Sequence, residues 1–325
     1  MLKRPTLDTV AQQCGVSTST VSRALSRPEF VKPAVRERIL AAATQIGYRP
    51  NKMARGLATG RLGRLGLLVP DVANPFFTEL LRVVHHVAST TARCSLLIVN
   101  SDERPGEEAD LIAGLSEEVD GVIVASPRAP TSALTQAVDG TPVVFINRPI
   151  TGYDAVLIEY EDAIVQAGEH LIAEGHETIA LVRGPSASWA AAQRANALTR
   201  WAKGRRVRLI DLGAGAPTFE AGLDSVRRII DGDATAVVAY DDMVASGVIA
   251  GLHAAGRSVP GDIAVVGCDD TLLARLLTPA MTTVSPPYAQ IGVAAMNLLN
   301  ARIDDPTAPA RRIKLPCTLV IRESS

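Results

Sequence analysis

A chain of 325 residues, 47% hydrophobic and 21% charged, is long enough for two or three globular domains and too rich in apolar residues to be disordered. It has no run of about 18 apolar residues, which excludes a transmembrane helix, and its start, MLKRPTLDTVAQQCGVS, lacks the apolar stretch of a secretory signal. The net charge of −1 conceals a division: residues 1–64 carry 12 Lys+Arg against 3 Asp+Glu, net +9, and the remainder carries 21 against 31, net −10. A basic head on an acidic body is the footprint of a nucleic-acid module joined to something that should not stick to DNA; charge alone also allows a plain solvated surface. Cys14, Cys94, Cys268 and Cys317 are scattered, without CxxC or zinc-ligand spacing, which argues against a disulfide framework and for a reduced cytoplasm.

In chain order, Thr6 is placed to cap a helix whose apolar residues Leu7, Val10, Ala11 and Cys14 fall on one face. Gly15 breaks it, Val16 fills the turn, and Ser17 caps a second short helix with Val21, Ala24 and Leu25 inward. Two short helices about a glycine-containing turn are the pattern of helix-turn-helix. The outer face of the second helix carries Thr18, Ser19, Ser22 and Arg23, with Thr20 beside them; such N-terminal side chains reach base edges in the major groove, and arginine suits guanine. A third helix is predicted from Pro33 to Ile46, its apolar residues Val35, Ile39, Ala42 and Ile46 at helical spacing, with Gly47 ending it. This completes an all-α headpiece over 1–48.

Residues 49–61, around YRPNKMARGLATG, hold at most a short helix from Asn51 to Ala58, which is marginal alone. The reading is a linker that becomes helical when paired or bound to DNA; a plain flexible linker remains the alternative.

TLDTVAQQCGVSTSTVSRAL followed by YRPNKMARGLATGR resembles the head and hinge of the lac-repressor (LacI) family. The resemblance implies that Thr18, Ser19 and Arg23 read bases and that Leu57 is the wedge pushed into the minor groove at the operator centre. Ala54 and Arg55 would flank it. An apolar wedge unstacks a base step and kinks the duplex. The candidate DNA-contacting set is Thr6, Ser17, Thr18, Ser19, Thr20, Ser22, Arg23, Asn51, Ala54, Arg55 and Leu57.

From Leu65 short apolar runs alternate with helical segments: 65–69, 95–99, 121–125, 142–146, 178–182, 207–211, 235–239 and 262–267, with helices over 76–92, 161–174, 219–231 and 241–255. This is the signature of βαβ units, and about eight of them exceed one ordinary sheet. The predicted body, 62–325, is two doubly wound parallel-sheet α/β lobes, about 62–160 plus 288–316 and about 161–287 plus 317–325. Tyr288–Ile303 and Leu319–Arg322 are the segments that cross back between them.

Open α/β sheets bind ligands beyond the carboxyl ends of their strands. The residues there include Asn74, Phe76 and Phe77, then Ser126-Pro127-Arg128, Asn147, the stretch from Gly184 to Trp189, Tyr240-Asp241-Asp242 and Cys268-Asp269-Asp270. Amides, carboxylates and aromatics suit a hydroxyl-rich ligand, although loops are polar anyway and the weight lies in convergence after six strands.

The resemblance extends over the body in PDVANPFFTELL, EHLIAEGHETIALVRGP, AYDDMVASGV and VPGDIAVVGCDDT, which look like the family's effector-binding core, similar to periplasmic sugar-binding proteins. It implies that Arg194 and Asp269 bind effector and that Asn147 stands at a usual ligand contact. Tyr240 departs from the asparagine of the family's NDxxA, Pro217 replaces an aromatic that stacks on ligand, and Ala197 replaces a glycine. Trp189 is the candidate to supply the missing stacking face, or is a rim tryptophan. The effector set is Asn74, Phe76, Phe77, Asn147, Trp189, Arg194, Tyr240 and Asp269.

Other signals fail. Gly213-Ala214-Gly215 begins a GxGxxG-like string that Thr218 breaks; there is no P-loop, HExxH or GxSxG, and His170 and His176 read as structural. No enzyme, cofactor or metal is expected. The favoured reading is a DNA-binding transcription regulator, a homodimer on a pseudo-palindromic double-stranded DNA operator, controlled by a small-molecule effector of carbohydrate type, with repression the family's default. A transport-type sugar-binding protein predicts a signal and no basic head; a nucleotide-dependent enzyme needs a phosphate loop. The end at Ser325 favours a dimer over a tetramer.

Overall fold

The computed structural model describes residues 5–26, 30–48, 61–92, 94–138 and 140–325. The chain divides into two compact units, Met1–Leu62 and Gly63–Ser325.

Among its described residues the first unit holds three α-helices, α1 (Leu7–Cys14), α2 (Thr18–Ser26) and α3 (Pro33–Gln45). Thr6 caps α1 by accepting from Thr9 N, and the Thr9 hydroxyl returns a bond to the cap backbone. Gly15 takes the left-handed conformation at φ 59, where a side chain on Cβ would be strained, and the turn closes with Val16 N donating to Ala11 O. Val10, Ala11, Cys14, Val21, Ala24, Ile39, Ala42 and Ala43 form the core, with Leu7, Val16, Leu25, Val35 and Ile46 packed around it. The apolar positions expected at helical spacing all lie in this cluster. The predicted hinge, and with it Asn51, Ala54, Arg55 and Leu57, lies outside the described residues.

The second unit is two α/β lobes with six strands each. The first sheet takes β1 (Arg64–Val69), β2 (Ser95–Asn100), β3 (Val122–Ala125), β4 (Val143–Ile146), β5 (Asp154–Glu159) and β11 (Arg312–Pro316), in the order β2-β1-β3-β4-β5-β11. The second takes β6 (Thr178–Val182), β7 (Arg208–Asp211), β8 (Ala236–Ala239), β9 (Ala264–Cys268), β10 (Thr282–Ser285) and β12 (Thr318–Val320), in the order β7-β6-β8-β9-β10-β12. All pairings are parallel except β10 with β12. Both orders reverse after the first strand of the lobe, and the crevice at such a switch point is where open α/β sheets hold ligands.

Eight of these strands fall on the apolar runs of the sequence; β5, β10, β11 and β12 complete the sheets. The helices between them are α4 (Pro75–Val87), extended by a π turn at Ala88–Ala92, α5 (Glu108–Ser116), α6 (Thr131–Ala137), α7 (Glu161–Ala173), α8 (Trp189–Ala202), α9 (Phe219–Asp231), α10 (Asp242–Ala254), α11 (Leu272–Leu276) and α12 (Tyr288–Asp304). The chain passes between the lobes after β5, after β10 and through Cys317, which separates β11 from β12 and donates its N–H to Glu159 O. Helix α12 packs on α4 and on β4 and β5, so it returns to the first lobe. One apolar cluster, from Leu65 and Phe76 through Tyr160 to Leu198 and Val266, runs through both lobes at these crossings.

His170 and His176 hold structure, bonding Ser325 Oγ at 3.0 Å and Thr235 Oγ1 at 3.1 Å. All four cysteines are free. Among the described residues no helix is long and apolar enough to cross a membrane, and no group of three or more His, Cys, Asp or Glu is placed to hold a metal ion.

Candidate ligand cleft and nucleic-acid interface

The headpiece exposes Thr18, Ser19, Ser22 and Arg23 along one side of α2, while Val21 and Ala24 point into the core. Thr18 and Ser22, and Ser19 and Arg23, are each four residues apart, so the four polar side chains form a strip of two adjoining rows on the exposed side of the helix. Ser17 holds the start of that strip: its hydroxyl accepts from Thr20 N at 3.2 Å and contacts the hydroxyls of Ser19 at 2.9 Å and Thr20 at 2.8 Å. Arg23 folds back one turn, its Nε donating to Ser19 O at 3.3 Å. Among the described residues nothing buries Arg23, so it can turn outward to a base edge or a phosphate. Thr6, by contrast, is occupied as the α1 cap.

In the core the clearest marker of a site is backbone conformation. Among the described residues, non-glycine positive φ occurs at Asp102 (51), Glu103 (53), Ser126 (46), Asn147 (55), Asp233 (55), Asp269 (108) and Asp270 (48). All but Asp233 follow the carboxyl ends of β2, β3, β4 and β9. Such conformations cost about 1–3 kcal/mol each and persist where surrounding structure over-determines them, typically at binding sites.

Arg194, on α8, is the centre. Its Nη2 donates to Asp269 Oδ1 at 2.6 Å and its Nη1 to Tyr240 O at 2.6 Å, while Nε is buried without a hydrogen-bond partner. The guanidinium lies 4.2 Å from the ring centre of Tyr160 and 5.1 Å from that of Tyr240. Both ends of the ion pair are nearly inaccessible. Burial opposes the guanidinium charge, but Asp269 outweighs it and holds the pKa well above that of a free arginine. The result is a fixed cation between aromatic faces, with Nε wholly unpaired and one N–H on each Nη also uncommitted.

The neighbouring groups brace this centre. Asn147 accepts from Ile158 N at 3.2 Å and donates to Tyr160 OH at 3.2 Å and Ser126 Oγ at 3.4 Å. Tyr240 OH meets Ser188 Oγ at 3.3 Å, and Tyr288 OH donates to Asp269 O at 2.7 Å. Asn74 caps α4 through Phe76 N at 3.0 Å and reaches the other lobe, donating to Asp241 Oδ2 at 3.0 Å. Asp241 caps α10, accepting from Val244 N at 2.8 Å. Burial raises its pKa to about 6, the charge of Asp269 adding to the effect.

Of the eight effector positions anticipated, Asn74, Asn147, Arg194, Tyr240 and Asp269 thus meet about the cleft. Phe76 and Phe77 lie in the core, edge to face at 5.0 Å, with Phe76 against Tyr288. Trp189 is partly buried and packs on the apolar cluster of the first lobe around Phe145 and Leu157. Sequence reasoning missed Tyr160 and Tyr288. Tyr160 follows β5, so the strand-end rule finds it once that strand is recognised.

Asp242 is buried beside the cleft, accepting from Thr271 N at 2.7 Å, Thr271 Oγ1 at 3.0 Å and Thr283 Oγ1 at 2.6 Å. Burial, with the charge of Asp269 adding, pushes its pKa up to about 8. A carboxyl raised in the folded state favours folding most below its unfolded pKa near 4, and that contribution is lost as pH rises toward 8. Between pH 5 and 8, urea unfolding of the unmodified chain should therefore lose on the order of 1–3 kcal/mol more stability than Asp242→Asn. Equal losses in the two proteins would remove Asp242 as the source.

Comparison with known proteins decides the family. Residues 6–51 match the model of bacterial regulatory proteins of the lacI family, and 169–325 match the periplasmic binding protein-like domain. The chain is 31% identical to catabolite control protein A of Priestia megaterium over 98% of this chain and 99% of that protein. It belongs to the lacI family. Among solved structures, the lac repressor dimer bound to operator and the anti-inducer ONPF superposes with a TM-score of 0.85 at 25% identity, covering 99% of both chains. A transcriptional regulator CelR–cellobiose complex superposes at 0.73 with 30% identity, covering 99% of this chain and all of that one. This lacI-family chain therefore has the helical head and two parallel-sheet lobes of its relatives.

Proposed function

We propose that this lacI-family chain is a sequence-specific repressor of transcription that binds a pseudo-palindromic operator as a homodimer and is controlled by a sugar or closely related metabolite. The observation that carries the reading is the buried Arg194–Asp269 pair between tyrosine faces, at the strained strand ends of a two-lobed core, in the same chain as an exposed Thr18/Ser19/Ser22/Arg23 strip. The lac repressor dimer on its operator and the CelR–cellobiose complex support both halves by likeness. The boundaries we assign are 1–48 for the headpiece, 49–61 for the hinge and 62–325 for the core.

The chemistry is binding rather than catalysis. A polyol offers hydroxyls that accept from Arg194 Nε and donate to carboxylates, and its apolar faces suit the tyrosine rings. Asn74–Asp241 already ties the lobes across the cleft, so a ligand that contacts both sides shifts the balance between closed and open lobes. Residues 49–61, marginal as a helix, turn a few kcal/mol of that shift into a large change in operator affinity. The protein acts in the cytoplasm and carries out no turnover of its effector.

The test is anisotropy titration of the full chain on selected palindromes, with and without ligands found by thermal shift. Affinity for the best palindrome no better than for random DNA at physiological salt would end the proposal. Arg23→Ala should weaken the selected operator by about 1–3 kcal/mol and leave random DNA nearly unchanged. An equal loss on both would make Arg23 a phosphate contact.

A further inference from the structure

Asn74 and Asp241 meet across the two lobes. Asn74 precedes α4 of the first lobe, Asp241 precedes α10 of the second, and Asn74 Nδ2 donates to Asp241 Oδ2 at 3.0 Å. Each is also the cap of its own helix, Asn74 Oδ1 accepting from Phe76 N and Asp241 Oδ1 from Val244 N. The contact therefore ties the start of one helix to the start of another. Both residues are buried, at 6% and 2% exposure. Parting the lobes breaks the bond and returns Asp241 to water.

The charges around this contact do not balance. Asp241, Asp242 and Asp269 are three buried carboxyl groups of the second lobe. The guanidinium that acts on Asp241 and Asp269 is that of Arg194, and its Nη groups are engaged with Asp269 and Tyr240 O. Asp242 turns to Thr271 and Thr283 and, pushed up to about 8, holds its proton at neutral pH. Asp270 is answered by Arg322 at 2.6 Å. Tyr160, Tyr240 and Tyr288 are raised by burial and stay neutral. On α4 the ionisable groups of the first two turns are Glu79 and Arg82, which pair with each other, with Arg275 of α11 acting on Glu79. Asp241 is thus the carboxylate that meets another carboxylate on its own lobe and a neutral amide on the other.

Burial dominates at Asp241, the Asn74 bond is a weaker effect in the opposite sense, and its pKa stands at about 6. With the first lobe withdrawn, water relieves the burial and the value falls toward the ordinary one near 4. The joined arrangement then binds the proton more tightly than the parted one. Its gain is full below pH 4 and is lost as pH rises through 6. A protonated carboxyl still accepts through its oxygens, so the tie to Asn74 survives while the charge disappears. We propose that the Asn74–Asp241 contact is a proton-operated latch: a proton on Asp241 holds the lobes together, and its release lets them part. The latch rests on the lobe movement of the function proposed above and adds acidity as a second input. Any ligand that favours joined lobes takes up a proton as it binds.

The experiment is double electron–electron resonance on the full chain, spin-labelled at Asp110→Cys on α5 and Glu220→Cys on α9, both exposed positions. The background is Cys94→Ser, the other three cysteines being buried, and the labelled chain is diluted with unlabelled chain so that distances arise within one protomer. From pH 7.5 to 5.0 the ratio of the short to the long distance should rise about tenfold, the change produced by a carboxyl that moves from near 4 to about 6. Asp241→Asn keeps a capping side chain, is neutral at every pH, and should hold that ratio within twofold over the range. Asn74→Asp keeps the α4 cap but sets a second carboxylate against the first, so its change should exceed tenfold. If both distances are present and their ratio ignores pH or falls on acidification, or if Asp241→Asn responds like the unmodified chain, the latch is overturned and the lobe movement stands. A single distance at every pH in all three proteins removes the latch and the lobe movement with it.

Discussion

Arg194→Met should abolish effector binding and destabilise the core by about 3–5 kcal/mol, the cost of leaving a buried charge without its partner. The geometry concentrates the loss. Asp269 would keep a negative charge in a site where it is only 5% exposed and lose its 2.6 Å donor, and the Tyr240 carbonyl would lose its own. Asp269 would then take up a proton to relieve the charge, so the variant should be less unstable at acid pH than at neutral pH. A double variant, Arg194→Met with Asp269→Leu, separates the two roles. Removing both charges from an apolar surrounding should restore most of the stability, because a buried ion pair gains little net energy over apolar packing. It should restore no ligand binding. Urea unfolding and calorimetric titration of the three proteins check this; a single variant within about 1 kcal/mol of the unmodified chain would show that the pair is not electrostatically coupled as its geometry requires.

Gly247→Val should leave the second lobe unfolded, a loss of at least about 3 kcal/mol. Helices α9 and α10 meet through Gly222 and Gly247 with no side chain between them. A Cβ on Gly247 would lie 1.9 Å from Phe219 O and 3.0 Å from Gly222 Cα, and one on Gly222 would lie 2.1 Å from Val244 O. The obstructing atoms are backbone, so no rotamer change relieves the contact and the helices must separate. Their buried faces include Val226 and Ile229 on α9 and Val244 and Val248 on α10, so separation exposes the middle of that lobe's apolar cluster. Limited proteolysis and thermal unfolding check this; a Tm within 3 °C of the unmodified protein would contradict the close approach.

The headpiece was legible because a small three-helix core leaves its apolar residues at strict helical spacing, from Leu7 to Ile46. Strands buried on both faces, such as Leu65–Val69 and Ala236–Ala239, announce themselves as apolar runs. The four strands that were not read as such break that rule for physical reasons. Strand β5 begins with Asp154, paired to Arg302, and ends on Glu159. Strand β10 is Thr-Thr-Val-Ser, its threonines fully buried because Asp242, Ser324 and Arg322 satisfy their hydroxyls and backbone. Strands β11 and β12 lie at sheet edges; β11 exposes alternate residues, and no residue of β12 is fully buried.

At the site, Arg194 and Asp269 were found through family motifs and strand ends together. What those rules do not distinguish is a residue that faces the ligand from one that holds the wall. Asn74 and Asn147 spend their amides on backbone and neighbouring side chains, and Phe76 and Phe77 are core. Such roles follow from pairings between distant segments, which local spacing does not encode.

The left-handed residues at the strand ends also constrain how this pocket can diverge. A β-branched or bulky side chain at Ser126, Asn147, Asp269 or Asp270 must be held where L-residues carry a steric penalty of roughly 1–2 kcal/mol, so drift there is channelled toward asparagine, aspartate and glycine. The alphabet available at those positions is short and polar. New ligand preferences must then arise at residues with ordinary backbone angles, among them Arg128, Trp189 and Tyr240. A lineage changing its effector would be expected to keep the strained aspartates and vary these three.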